Sequence, residues 1–243
     1  MRKFGLIGYP LSHSFSKKYF TEKFEREGIK GCIYELYAIQ SINELPRLLK
    51  TEKLEGLNIT IPYKKIVLPF LTSLSREVTA IQACNCISIK EDGLIGYNTD
   101  IVGFKKTFEK HLQPYHTKAL ILGTGGASLA VAFTLQQLNI EFLFISRSNG
   151  LNNTISYGEV NNSILKEYTI IINTTPLGTY PEVHKCPPIA YEQLTAQHYL
   201  YDLVYNPAKT MFLTRGQEQG ATIENGAEML IIQAEESWEI WNK

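Results

Sequence analysis

Apolar and polar positions change period in blocks along the first hundred residues. Phe4–Gly8 reads as a strand. Ser14–Glu27 carries Phe15, Tyr19, Phe20 and Phe24 near helical spacing, and Gly28 stops it. A β-rich run at Cys32–Ala38 precedes a helical Ser41–Lys53, with Leu45, Leu48 and Leu49 on one side. Leu57–Ile61 is a short strand. Pro62 suits the first turn of a following helix, where its missing N–H costs nothing. Cys84–Lys90 and Leu94–Tyr97 flank Glu91-Asp92-Gly93, a hairpin signal.

A second series begins near residue 117. Strand Lys118–Leu122 leads into a glycine cluster, a small-residue helix over Ala127–Leu138 and strand Glu141–Ile145. Thr169–Ile172, Tyr199–Val204 and Ala221–Ile223 read as further strands, and Ala227–Trp241 as a closing helix. Strands alternating with helices predict an α/β protein of two α/β domains. The first has a mixed sheet, because of its hairpin, and the second is Rossmann-like. The expected boundaries are 1–100 plus 226–243 for the first domain and 101–225 for the second. A helix starting near Thr99 forms the hinge, and the closing helix packs back on the first domain.

Composition narrows the function. The chain has 243 residues, 44% of them hydrophobic, as in a globular protein with a sizeable core. Its 24 basic and 24 acidic residues balance, which gives no support to a nucleic-acid or membrane-surface partner. No run approaches the roughly eighteen apolar residues of a membrane span. The four cysteines include no CxxC pair, so Cys84 and Cys86 read as small core residues and no metal site is expected. With no secretory pattern at the start, the expected home is a reducing cytosol.

Three clusters carry chemistry. Gly123-Thr-Gly-Gly-Ala-Ser128 follows a strand and opens a helix, the context of a dinucleotide cradle: a tight turn, close backbone approach, and free N–H groups at a helix start. After the next strand comes Ser146-Arg147-Ser148 and no acid. An arginine flanked by hydroxyls suits a 2′-phosphate, so the cofactor is expected to be NADP. Lys64 ends the run Gly56 to Lys64, and Asp100 ends Asn98-Thr-Asp. Each alone is an ordinary residue at a helix start. Asn58, Thr60 and Asn85, however, interrupt apolar strand stretches at or near strand ends, where ligands of open α/β sheets sit. An amine, a carboxylate and a dinucleotide cradle are what a carbonyl reductase needs.

Seven stretches, in this order and spacing, resemble the shikimate dehydrogenase family over nearly the whole chain. They are Gly8 to Ser16, Gly56 to Lys64, Ala83-Cys-Asn85, Asn98-Thr-Asp100, Gly123 to Ser128, Asn173-Thr-Thr-Pro-Leu-Gly178, and Gly226 to Gln233. The resemblance implies a substrate domain followed by an NADP domain, and reversible reduction of 3-dehydroshikimate to shikimate in chorismate and aromatic amino acid biosynthesis. It implies Lys64 and Asp100 as the catalytic pair. Ser14 and Ser16 match the pair that holds the substrate carboxylate, Tyr205 a tyrosine near it, and Thr60, Asn85 and Gln233 the hydroxyl-binding residues. Ser12 remains the expected cap of the first helix. The cofactor-binding set becomes Gly123, Thr124, Gly125, Gly126, Ala127, Ser146, Arg147 and Ser148, with Asn173 and Thr174 near the ribose and Leu203 and Gly226 near the nicotinamide. Small-molecule substrates and a monomer or homodimer are implied.

The chain departs from the family pattern in several places. Ile101 replaces the usual glycine after Asn-Thr-Asp, and Thr124 replaces the usual alanine of the glycine loop. Leu151 stands where a second basic residue is common, and the stretch from Gly150 to Glu167 is short. A broader quinate/shikimate dehydrogenase using NAD, a folate-type dehydrogenase and a non-catalytic ligand sensor are the competing readings.

Overall fold

The apolar blocks form two sheets, each covered on both faces. The computed structural model describes residues 1–11, 14–147 and 152–243. They divide into two units, Met1–Val102 with Ile231–Lys243, and Gly103–Leu230.

The first unit holds β1 (Arg2–Gly8), β2 (Cys32–Ala38), β3 (Gly56–Ile59), β4 (Ser73–Leu74), β5 (Cys86–Lys90) and β6 (Gly93–Tyr97), ordered β2-β1-β3-β5-β6-β4. β1 runs parallel to β2 and β3, while β5 runs antiparallel to β3 and β6, so the sheet is mixed. Alternation along the strands sends Ile7, Leu57, Ile59 and Ile87 to one core and Phe4, Leu6, Tyr34 and Cys86 to the other. The second core is closed by α1 (Phe15–Arg26) and by the C-terminal part of α8 (Ala227–Trp241). Trp241 stacks on Phe4 at 4.8 Å and donates its indole N–H to the Ile87 carbonyl at 3.0 Å. Truncating a ring so placed costs about 3–5 kcal/mol. Lys23 of α1 is buried, yet its ammonium lies 2.8 Å from Glu235 and 2.9 Å from Glu27, and Glu235 also accepts from Tyr19. A buried ammonium needs such partners, and these tie α1 to α8.

Two expectations change here. Ser41–Lys53 is not one helix. Ser41 and Glu44 form a capping box around a single 3₁₀ turn, and α2 (Leu45–Glu52) starts afresh with Pro46 in its first turn. Pro62 does not open a helix either. It follows a cis peptide, and residues 61–67 form successive turns in which Tyr63 N–H bonds the Thr60 carbonyl and Val67 N–H the Tyr63 carbonyl.

The second unit holds β7 (Lys118–Leu122), β8 (Glu141–Ile145), β9 (Thr154–Ile155), β10 (Ile170–Asn173), β11 (Tyr199–Asp202) and β12 (Thr222–Asn225). All pairings are parallel, in the order β9-β8-β7-β10-β11-β12. This is a doubly wound sheet whose direction of growth reverses between β7 and β10, where such sheets bind ligands. Its strands read as continuous apolar runs because both faces are buried. Ile121, Ile172 and Tyr201 face one core, and Leu120, Ile171 and Leu200 face the other. Two buried histidines fix loops of this unit. His116 Nδ1 accepts from Gln113 N–H and His198 Nδ1 from Thr195 N–H, each at 3.0 Å. Their Nε2 atoms meet the carbonyls of Gln197 and Leu165. That pattern fits only neutral rings, and burial pulls both pKa values below 6.5.

α4 (Thr99–Phe108) and α8 each contribute residues to both units. Among the described residues, no helix is long and apolar enough to cross a membrane, and no group of three or more His, Cys, Asp or Glu could hold a metal ion.

Candidate active site

Lys64 sits in the turn after β3, its backbone fixed by a bond from Cys84 N–H to the Lys64 carbonyl at 2.8 Å. Asp100 lies in the first turn of α4, where a carboxylate is favoured by the free N–H groups. Lys64 Nζ meets Asp100 Oδ2 at 2.6 Å, with side chains 19% and 12% exposed. The pair is therefore sheltered, yet its ammonium keeps donors that Asp100 does not use.

The three residues of Asn98-Thr-Asp100 do three different jobs. Asn98 Oδ1 accepts from Ile101 N–H at 3.3 Å, and its amide donates to the Ala83 carbonyl at 2.9 Å. Helix α4 thus starts at Thr99 even with Ile101 in place of glycine. Thr99 locks Asn85: its N–H donates to Asn85 Oδ1 at 2.7 Å, and its hydroxyl accepts from Asn85 Nδ2 at 3.0 Å. Thr99 also reaches Gln233 Oε1 at 3.4 Å and Ser237 Oγ at 3.3 Å. From Ser237 the chain of bonds continues to Asn58 at 2.9 Å and on to Tyr34 at 2.8 Å, whose phenol meets Ser16. Asn58, Asn85, Thr99 and Ser237 are all buried, so each needs its partners.

This network joins Asn85 and Gln233 through Thr99, Ser237 and Asn58 to Tyr34, and Asp100 follows Thr99 directly in the chain. Thr60 follows β3 and its backbone N–H donates to the Ile7 carbonyl at 2.9 Å. Its methyl occupies the space a side chain at Gly8 would need. Ser14 stands at the start of α1 without capping it, and its buried hydroxyl has no hydrogen-bond partner among the described residues. Ser12 lies outside the described residues. Sequence reasoning did not single out Tyr34, Thr99 and Ser237. The position of Thr99 inside the Asn-Thr-Asp stretch is the only signal that marks one of them.

In the second unit, the turn after β7 depends on Gly123, whose φ of +103° suits glycine. Gly125 precedes α5 (Gly126–Gln137), which has no side-chain cap. Ser128 is buried, and its hydroxyl donates to the Gly125 carbonyl at 2.7 Å. A cavity of about 360 Å³ opens here. It is lined by Gly123, Thr124 and Gly125, by Ser146 and Arg147 after β8, by Tyr157, and by Thr174 to Leu177 after β10. The strand ends on either side of the β7–β10 reversal thus form its walls. A side chain at Gly125 would meet nothing within 4 Å, and Arg147 is exposed. Uncapped helix N–H groups, an open glycine and an exposed guanidinium suit phosphate groups. Gly126 and Ala127 begin α5 beside them, while Ser148 lies outside the described residues.

Asn173 is fully buried, and its amide is committed to Asp202, Thr175 and Leu177. Leu203 bonds the Asn173 carbonyl at 3.0 Å, and Gly226 lies so close that a Cβ there would sit 2.2 Å from the Leu203 carbonyl oxygen. Tyr205 follows β11 and is 38% exposed.

Fold and site define a two-unit α/β chain, one unit doubly wound around a glycine turn and the other holding a sheltered lysine–aspartate pair, the plan of a nucleotide-dependent oxidoreductase. Residues 6–87 match the family model described as the shikimate dehydrogenase substrate binding domain. The chain is 32% identical to shikimate dehydrogenase (NADP(+)) of Methanosphaera stadtmanae, across 98% of this chain and 90% of that protein. Among solved structures, a chorismate mutase/shikimate 5-dehydrogenase fusion protein from Clostridium acetobutylicum is similar, with a TM-score of 0.88 and 35% identity, over 100% of this chain and 91% of that one. Shikimate 5-dehydrogenase from Thermus thermophilus, in complex with NADP(H) and shikimate, gives a TM-score of 0.86 at 28% identity, over 99% and 93%. The chain belongs to the shikimate dehydrogenase family.

Proposed function

We propose that the chain catalyses the reversible NADPH-dependent reduction of 3-dehydroshikimate to shikimate, with residues 1–100 and 226–243 binding substrate and residues 101–225 binding NADP. The observation that carries this reading is the sheltered Lys64–Asp100 pair, 2.6 Å apart, with Asp100 following directly on Thr99, the residue that bonds Asn85 and Gln233. The names of the relatives and the ligands of the Thermus thermophilus complex support the substrate and the cofactor. The uncapped start of α5 and exposed Arg147 fit the phosphates of NADP, the arginine meeting the 2′-phosphate.

When bound, the nicotinamide supplies the hydride. Lys64 donates a hydrogen bond or proton to the ketone oxygen as it becomes an alkoxide, so its charge meets charge that develops only in the transition state. Asp100 holds the ammonium in place and orients a neighbouring hydroxyl. Ser14 and Ser16 bind the carboxylate, and the Ser14 hydroxyl, without a partner among the described residues, is available for that contact. Thr60, Asn85 and Gln233 bind ring hydroxyls, with Thr99 fixing the orientation of the Asn85 amide. The balanced charge favours a small-molecule ligand over nucleic acid, and a cytosolic monomer or homodimer is the form we infer.

The test follows nicotinamide absorbance with shikimate or quinate and with NADP⁺ or NAD⁺. Shikimate with NADP⁺ is expected to be the best pair. Preference for quinate and NAD⁺ would assign the broader activity, and no turnover with any pair would refute the reading.

A further inference from the structure

We propose that Asp202 is a positioning residue for the cofactor, whose carboxylate holds the Asn173–Gly178 loop in the shape that walls the 360 Å³ cleft. The inference rests on the second unit binding NADP. Asp202 ends β11 and is fully buried. Its Oδ1 accepts from Asn173 Nδ2 at 2.9 Å and from Val204 N–H at 3.0 Å. Its Oδ2 accepts from Thr210 Oγ1 at 2.5 Å. These donors come from the end of β10, the loop after β11 and the start of α7 (Met211–Glu218). Burial pushes the carboxyl up to about 6, so at neutral pH it is still mainly an acceptor-only carboxylate, the form that three donors require.

The bonds continue into the cleft wall. Asn173 Oδ1 accepts from Thr175 N–H at 3.0 Å and Thr175 Oγ1 at 2.6 Å, and Thr175 Oγ1 accepts from Leu177 N–H at 3.3 Å. Thr174, Thr175, Pro176 and Leu177 are consecutive wall residues. Thr210 also abuts the far end of the loop, since a Cβ on Gly178 would lie 3.3 Å from its Cβ. The same two loops meet again where Tyr180 N–H bonds the Asn206 carbonyl at 3.3 Å. Asp202 does not line the cleft. It acts through Asn173, whose side chain cannot face both Asp202 and Thr175 if it turns.

The test uses the full chain with three readouts: NADP⁺ affinity by calorimetry, shikimate affinity by the same method, and backbone hydrogen exchange without ligand. Asp202→Ala orphans three buried donors. It is expected to raise the NADP⁺ Kd about tenfold, to speed exchange across residues 174–178, and to leave shikimate Kd and exchange of β7 unchanged. Asp202→Asn keeps an acceptor for Asn173 and can donate to Thr210, so its NADP⁺ Kd returns to within about threefold of the parent. If the alanine variant does not fold, Thr210→Val removes one donor and is expected to show the same split at smaller size. Parallel loss of both affinities, or unchanged NADP⁺ affinity and loop exchange, would overturn the assignment. Failure of the unmodified protein to bind NADP⁺ would instead overturn the reading on which it rests.

Discussion

Gly226→Ala is the substitution whose effect can be worked most directly from packing. The added methyl would lie 2.2 Å from the Leu203 carbonyl oxygen and 2.7 Å from its carbon, where ordinary contact begins at 3.4 Å. Both atoms are backbone, so no side-chain rotation relieves the overlap, and the two segments must separate by roughly 1 Å. Neither segment is free to move. Leu203 N–H is bonded to the Asn173 carbonyl, and Gly226 N–H to the Val204 carbonyl. Overpacking of this kind costs about 1–3 kcal/mol, and the upper end applies because the obstacle is backbone. The second unit should lose several degrees of melting temperature, about 5–15 °C on the usual scaling for its size. Displacing the residues proposed to flank the nicotinamide by that distance should lower kcat with NADPH about 10²-fold. The assay combines a thermal melt with steady-state kinetics in both substrates. A Gly226→Ala protein with parental melting temperature and parental kcat would refute the packing argument and the placement of the nicotinamide beside Leu203.

Three further outcomes follow from the same geometry. Arg147→Asp should raise the NADPH KM about tenfold or more while leaving that for NADH nearly unchanged; equal loss with both cofactors would remove the 2′-phosphate contact. Ser14→Ala should raise the shikimate KM about tenfold, the scale of a lost hydrogen bond to a charged group. Its melting temperature should hold, because the hydroxyl has no partner among the described residues to lose; an unchanged KM would take Ser14 out of the carboxylate site. His116 and His198 bind protons less readily folded than unfolded, so the unfolded chain takes up more protons as pH falls below about 6.5 and stability declines there. Denaturant titrations between pH 7 and 5 should show that decline, and a His116→Gln/His198→Gln protein that kept the same slope would contradict the assignment.

Most of the architecture could be read from periodicity, since buried strands and amphipathic helices carry different spacings. Cys32–Ala38, Lys118–Leu122, Glu141–Ile145 and Ala227–Trp241 fall where the pattern puts them. The pattern misled at Pro62, because a proline that suits a helix start also suits a cis turn, and local sequence does not separate the two. Short elements such as β4, β9 and α6 (Asn162–Glu167) are made by pairing with distant strands and by caps, so they leave little local trace. At the site, the resemblance named Lys64 and Asp100, and the structure brings them to 2.6 Å. The supporting residues were harder to see. Thr99, Ser237 and Tyr34 matter through contacts across 14 to 179 residues of chain, which no single window contains. Asn173 is the reverse case. Its motif is conspicuous, yet its amide faces inward toward Asp202.

Lys64 is the group proposed to stabilise the oxygen receiving negative charge. Steady-state reduction of 3-dehydroshikimate by NADPH, comparing the parent with Lys64→Ala, tests this most directly. Loss of the ammonium is expected to lower kcat about 10²-fold or more, with the substrate KM moving only a few-fold because Ser14, Ser16 and Asn85 remain. A Lys64→Ala protein that turned over at close to the parental rate would contradict it.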